Sequence, residues 1–194
     1  MKDKIRKELK ATRMKLSRSE VLERSAQIKK RLFEINEFKQ ASTILFYVSY
    51  DNEVYTHDMI KKSMSTGKNI VVPFSDKEKR RLILSKLNNW GELELGSYGI
   101  LEPRKEQIKE TYIDEVDLVV VPGVGFDENG RRIGHGKGYY DDLLKKSKNA
   151  LHIGLAFEFQ IVDRIPTEKH DIPVDKIVTE KRVIDCKKSR LQSL

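Results

Sequence analysis

The sequence has little of what marks a secreted, fibrous or membrane-spanning protein. Cys186 is the single cysteine in 194 residues, so no disulfide forms within the chain, as suits a reducing compartment. It stands in a basic stretch with no base to activate it and reads as inert. Long apolar runs are missing: Ile44–Val48 and Leu118–Val121 are far too short to cross a bilayer. The opening MKDKIRKELK carries charge where a signal peptide needs an apolar segment, so a cytoplasmic protein with no membrane partner is expected. Only 11 Gly and 5 Pro rule out a collagen-like repeat, and 38% hydrophobic residues are enough for a core that disordered chains lack.

Positive charge is in excess, and the excess is local. The net charge of +8 comes from 38 Lys and Arg against 30 Asp and Glu. Residues 1–31 hold 12 of the basic and 4 of the acidic side chains, which accounts for all of it. Such a region reads as a nucleic-acid patch, as a solvated face, or as cations brought to an anionic ligand. It lacks aromatic interleaving and any zinc or RNP-type signature, which counts against nucleic acid.

Periodicity supplies the elements. Ile5, Leu9 and Leu16 lie near one face of a helix over about Asp3 to Met14. Ser17-x-x-Glu20 has capping-box spacing and opens a second helix to about Phe33. A buried strand over Ile44–Val48 is followed by a helix from His57 to about Ser65, capped by Thr56 and closed at Gly67, and by a strand Ile70–Val72 ending at Pro73. That unit predicts a parallel pair. Short strands are expected over Arg81–Leu87 and around Leu93–Leu95, and a core strand within Asp117–Gly123. A helix over Tyr139–Lys146 and strands over Ile153–Phe157 and Ile177–Ile184 complete the reading. No repeat or linker divides the chain. The expected fold is a single three-layer α/β/α domain over residues 1–194, Rossmann-like, with a mainly parallel (mixed) sheet and the helices of residues 1–36 packed on it. A monomer or weak homodimer is expected.

Distinctive chemistry collects in residues 121–141, VPGVGFDENGRRIGHGKGYYD. A buried strand ends at Pro122, and a glycine-rich loop leads to a helix; in open α/β sheets a ligand sits at that end of the strands. Backbone N–H groups at a helix start attract anions, and Arg132 and Lys137 add cations, so a phosphate suits the constellation. The Walker pattern fails, because Arg131 stands where its first glycine belongs and Gly138 replaces the hydroxyl residue. The dinucleotide pattern fails at Tyr139.

The whole string resembles the signature of the 5-formyltetrahydrofolate cyclo-ligase (methenyltetrahydrofolate synthetase) family. Gly154–Gln160 and Ile165–Glu180 are similar to the family's later blocks, Lys2-x-x-x-Arg6 to its amino-terminal helix, and Ser49–Thr56 to its folate-side loop. The likeness is colinear over nearly the entire chain. It implies conversion of 5-formyltetrahydrofolate to 5,10-methenyltetrahydrofolate with ATP and Mg²⁺, through phosphorylation of the formyl oxygen and attack by N10. By position, Arg132 and Lys137 are the implied catalytic cations. Lys2, Arg6, Arg132, Gly134, Gly136, Lys137, Gly138, Tyr139 and Tyr140 are implied for ATP, Val48, Glu53, Tyr139 and Tyr140 for the folate, and Asp141 and Asp171 for magnesium. His135 falls at a position taken to vary and is assigned no chemistry. The rival readings are an ATP-free sugar-phosphate isomerase or CoA-transferase-like enzyme of the same broad fold, and a basic nucleic-acid-binding module. Neither needs the Arg132–Tyr140 block together with Glu53, and no nucleic-acid partner is expected.

Overall fold

Strands form where β-branched and aliphatic residues run without interruption, and here those runs line up side by side. The computed structural model describes every residue except 77, 79, 80, 97, 98, 137, 167, 169, 170, 193 and 194, and the side chain of 192. The chain begins with α1 (Lys2–Met14), α2 (Arg18–Glu34) and α3 (Asn36–Gln40), then β1 (Thr43–Leu45), α4 (His57–Ser65), β2 (Asn69–Asp76) and β3 (Arg81–Leu87). A hairpin of β4 (Leu93–Leu95) and β5 (Leu101–Pro103) precedes β6 (Glu110–Thr111) and β7 (Leu118–Val121). The second half holds β8 (Gly125–Asp127), β9 (Arg132–Ile133), α5 (Tyr139–Lys146), β10 (Leu151–Leu155), β11 (Ile161–Val162), β12 (Lys176–Val178), β13 (Val183–Asp185) and α6 (Cys186–Gln192).

Among the described residues the main sheet has eight strands in the order β13-β12-β10-β7-β1-β2-β3-β6. Its centre, β12 to β2, is parallel, while β13, β3 and β6 are each antiparallel to the neighbour inside them. Successive strand residues alternate between two apolar layers. Ile44, Val72, Leu118, Val120 and Ile153 meet α2, α3 and α4 through Ile28, Leu32, Phe38, Met59 and Ile60. Leu45, Val71, Val119, Val121 and Ile177 meet Leu143 and Leu144 of α5 and Cys186 of α6. The expected three-layer arrangement is thus present. Each of the four fully buried side chains of β7 is worth about 1.5–3 kcal/mol of removal from water.

Local signals fared unevenly. The capping box forms as expected: Ser17 Oγ accepts from the Glu20 N–H at 3.2 Å, and the Glu20 carboxylate accepts from the Ser17 N–H at 2.8 Å. The apolar run 44–48 leaves the ladder after Leu45, although Phe46 still donates to Val71 O at 2.9 Å. Pro73 does not end its strand. The Val71 carbonyl points toward β1, so by strand alternation position 73 faces the same side, beyond the last β1 pairing, where no N–H is needed. The expected strand 177–184 is an antiparallel pair, β12 and β13, and the expected strand 153–157 starts two residues earlier. Thr56 precedes α4 but does not cap it, because its hydroxyl is used in the loop described next.

Candidate active site

Two loops at the carboxyl ends of β1 and β7 build the site, and α1 closes over it. After β1 the chain stays buried through Val48 and turns back at Thr56. Thr56 Oγ1 donates to Tyr47 O at 2.7 Å and accepts from the Ser49 N–H at 3.0 Å, while Ser49 Oγ accepts from the Thr56 N–H at 3.0 Å. These bonds clamp the neck of the loop. Asn52 fastens its tip to the end of α1, donating to Arg13 O at 3.1 Å and Leu16 O at 2.8 Å. Asp51 turns through the left-handed region with φ 47°, which a short polar side chain tolerates. Glu53 is thereby held at 5% exposure. Its Oε2 accepts from the Tyr50 N–H at 3.2 Å, and its Oε1 is 3.0 Å from His135 Nε2.

The segment after β7 differs from the simple glycine loop expected of it. Residues 125–127 and 132–133 form an antiparallel hairpin, with β11 paired on the other side of β8. Asp127, fully buried, accepts from the N–H groups of Asn129, Arg131 and Ile165 and so shapes the turn. Gln160 pins its start, donating to the carbonyls of Gly123 and Val124. Arg132 therefore sits on a strand and not in the loop. Its guanidinium donates to Asp141 Oδ1 at 2.7 Å and to Pro122 O at 3.4 Å, and its buried Nε has no hydrogen-bond partner among the described residues. Gly136 and Gly138 take φ of 99° and 73°, values that disfavour any side chain, and carry the loop into α5. Asp141 lies in the first turn of that helix.

From α1, Arg6 Nε donates to Gly134 O at 2.9 Å, and Lys2 Nζ reaches Asp171 at 2.6 Å and Glu168 at 3.4 Å. Partial burial pulls the Lys2 pKa down, but Asp171 and Glu168 outweigh it and the net shift is upward. Lys10, one turn beyond Arg6, is shifted downward by burial and by the positive charges of Arg13 and Arg6. Burial, reinforced by the Glu53 charge, raises the Tyr140 hydroxyl well above its ordinary value.

Lys2, Arg6, Lys10, Glu53, Arg132 and Tyr140 line one cavity of about 770 Å³. Of the residues expected from sequence, Lys2, Arg6, Val48, Glu53, Arg132, Gly134, Gly136, Gly138, Tyr139, Tyr140, Asp141 and Asp171 are brought together there. Lys137 lies outside the described residues. Sequence reasoning missed Lys10, Tyr50 and His135, and it missed the apolar wall of Pro73, Leu82, Ile100 and Leu101 from the far side of the sheet. Lys10 had a signal: positions 2, 6 and 10 share one helix face. The wall had none, because nothing local ties β3 and β5 to the phosphate loop.

Among the described residues no three His, Cys, Asp or Glu side chains gather as a metal site. Asp141 and Asp171 offer two hard carboxylates on the cavity wall. That set fits a Mg²⁺ ion that takes one or two protein carboxylates and completes its shell with phosphate oxygens and water.

The chain matches the 5-formyltetrahydrofolate cyclo-ligase family over residues 1–180. The 5-formyltetrahydrofolate cyclo-ligase of Mus musculus is 31% identical over 186 residues, covering 91% of this chain and 92% of the mouse protein. The Haemophilus influenzae 5-formyltetrahydrofolate cyclo-ligase is 28% identical, covering 91% and 96%. Among solved structures, the Aquifex aeolicus 5,10-methenyltetrahydrofolate synthetase superposes with a TM-score of 0.84 at 34% identity, covering 96% of this chain and 93% of that one. The Mycoplasma pneumoniae synthetase shares the fold, with a TM-score of 0.74 at 23% identity over 92% and 98%.

Proposed function

We propose a mechanism from one premise: the chain belongs to the 5-formyltetrahydrofolate cyclo-ligase family and is an enzyme of that activity, a ligase of folate one-carbon metabolism. The cavity takes 5-formyltetrahydrofolate and ATP together and yields 5,10-methenyltetrahydrofolate, ADP and phosphate. The formyl oxygen is a poor leaving group. Transfer of the γ-phosphoryl group to it makes it a good one. N10 then attacks the formyl carbon, loses its proton as the ring closes, and inorganic phosphate departs. The protein's share of the work is positioning and charge compensation.

In this reading the pterin lies against Val48 and the apolar wall, with its amino edge on Glu53, whose two oxygens match a pair of N–H donors. Tyr139 and Tyr140 flank the ligands. The triphosphate lies toward Lys2, Arg6 and Arg132 and the N–H groups of Gly134, Gly136 and Gly138, and Lys137 is assigned to it by its position in the motif alone. Arg132 and Lys137 stabilise charge that develops during transfer. Asp141 and Asp171 would hold Mg²⁺, which when bound neutralises phosphate charge. In the free protein these acids pair with Arg132 and Lys2. Binding exchanges each pair for a cation–phosphate contact, so no buried charge is left bare.

The observation that supports this reading is one cavity shared by the Glu53 carboxylate, an apolar wall and cations from α1 and β9. The test is incubation with 5-formyltetrahydrofolate while following the methenyl chromophore. Product is expected only with ATP and a divalent cation, and an equal rate after nucleotide removal overturns the proposal.

A further inference from the structure

Among the described residues, His135 links the glycine-rich loop directly to the pterin acid of the folate-side loop. Its Nε2 is 3.0 Å from Glu53 Oε1, and its Nδ1 is 3.5 Å from the Tyr50 hydroxyl. The Glu53 side chain is 6% exposed and that of His135 26%. We propose that His135 is a positioning residue for Glu53, fixing its carboxylate to receive the substrate's pterin edge. This rests on the folate reading of the cavity.

The argument is one of hydrogen-bond capacity. A carboxylate only accepts, so Nε2 carries the hydrogen, and Nδ1 in the neutral ring accepts from Tyr50. The carboxylate thereby selects the tautomer, and the Tyr50 main-chain N–H holds Oε2 of the same carboxylate at 3.2 Å. Each oxygen of Glu53 thus has one lone pair used by the protein and one left, as a bidentate pair of N–H donors requires. Without His135 the carboxylate is held on one oxygen only and is free to rotate. Because His135 belongs to the loop that is also tied to α1 through Gly134 and Arg6, the glycine-rich loop sets the orientation of the acid in the neighbouring half of the site.

The experiment is calorimetric titration of full-length wild type, His135→Ala, His135→Gln, Tyr50→Phe, Glu53→Gln and the Glu53→Gln/His135→Ala double variant, with 5-formyltetrahydrofolate and separately with MgATP. His135→Ala should weaken the folate about tenfold and ATP less than about twofold, as expected for loss of one bond to a charged group. Gln reaches with an amide N–H where His uses Nε2, so His135→Gln should recover most of the folate affinity. Tyr50→Phe should give a smaller loss in the same direction. The double variant should bind folate no more weakly than Glu53→Gln alone, since His135 acts through that carboxylate. Unchanged folate affinity in His135→Ala, equal weakening of ATP, or additive losses in the double variant would overturn the inference. A wild type that neither binds nor turns over the folate would instead overturn the reading beneath it.

Discussion

Replacing Asp141 with Asn isolates the pair that joins β9 to α5. The Arg132 side chain is 5% exposed and that of Asp141 25%, with 2.7 Å between them. Asn keeps an oxygen in place but loses the charge. A bond to a charged acceptor exceeds a neutral one by about 1 kcal/mol. A carboxylate in the first turn of a helix is worth a further 0.3–1 kcal/mol or so. The guanidinium finds little relief in water, because its side chain is 5% exposed, its Nε has no partner among the described residues, and its contact to Pro122 O is long at 3.4 Å. Asp141→Asn should therefore destabilise by about 1.5–2 kcal/mol, roughly 3–8 °C in melting temperature for a chain of this size. Arg132→Met should cost less, because the carboxylate left behind is a quarter exposed and rehydrates, and an apolar chain suits the space vacated by a buried cation. Urea unfolding followed by circular dichroism measures both. Asp141→Asn within about 0.3 kcal/mol of wild type, or a larger loss in Arg132→Met, would refute this account of the pair. Ligand stabilisation gives a second readout: the increment that Mg²⁺ adds to ATP should shrink in Asp141→Asn.

Other expectations concern stability and reactivity. The Tyr140 hydroxyl is buried without a partner among the described residues, so Tyr140→Phe should raise the free energy of urea unfolding by about 1 kcal/mol, and a lowered value would reveal a bond made by that hydroxyl. Burial depresses the pKa of His152 and of His57, so the unfolded chain binds protons that the folded rings resist. Stability should then fall as pH drops below about 6.5, with a shallower slope in His152→Gln, and an unchanged slope would count against burial as the cause. Cys186 is fully buried and its thiol is pushed up to about 12, so it should react with a disulfide reagent only after unfolding, and Cys186→Ser should keep full activity.

What could be read in the sequence was what neighbours in the chain decide. Ser17 and Glu20 satisfy each other across one turn, and Tyr139–Lys146 is a helix with the bounds expected of it. The alternation of strand and helix carried the layer order, because parallel strands require crossovers. What could not be read was decided by distant partners. Thr56 had the chemistry of a cap, but Tyr47 O and the Ser49 N–H claimed its hydroxyl. The 125–133 hairpin was passed over although Asn129-Gly130, with Gly130 at φ 84°, is a local turn signal; only its pairing with Ile161–Val162, more than thirty residues away, has none. His135 looked like a variable loop residue; its contact with Glu53 spans 82 positions and has no local signature.

The charge of the amino-terminal region is sorted by the same period that docks its helix. Ile5 and Leu9 of α1 pack against Val124, Ile133 and Ile165, and a face centred about 80° away is turned to the cavity. Lys2, Arg6 and Lys10 lie on that face and line it. Lys4 and Lys7 fall on the opposite side and are exposed. Two of the readings open for the basic region therefore hold together on one helix, a solvated face and a set of cations directed inward. Apolar docking decides which lysine belongs to which. The cations contribute less to holding α1 in place, since the attraction in the mostly buried Lys2–Asp171 pair is offset by the desolvation of both charges, while burial of one leucine is worth about 1.5–3 kcal/mol. Leu9 carries the helix, and the helix carries the charge.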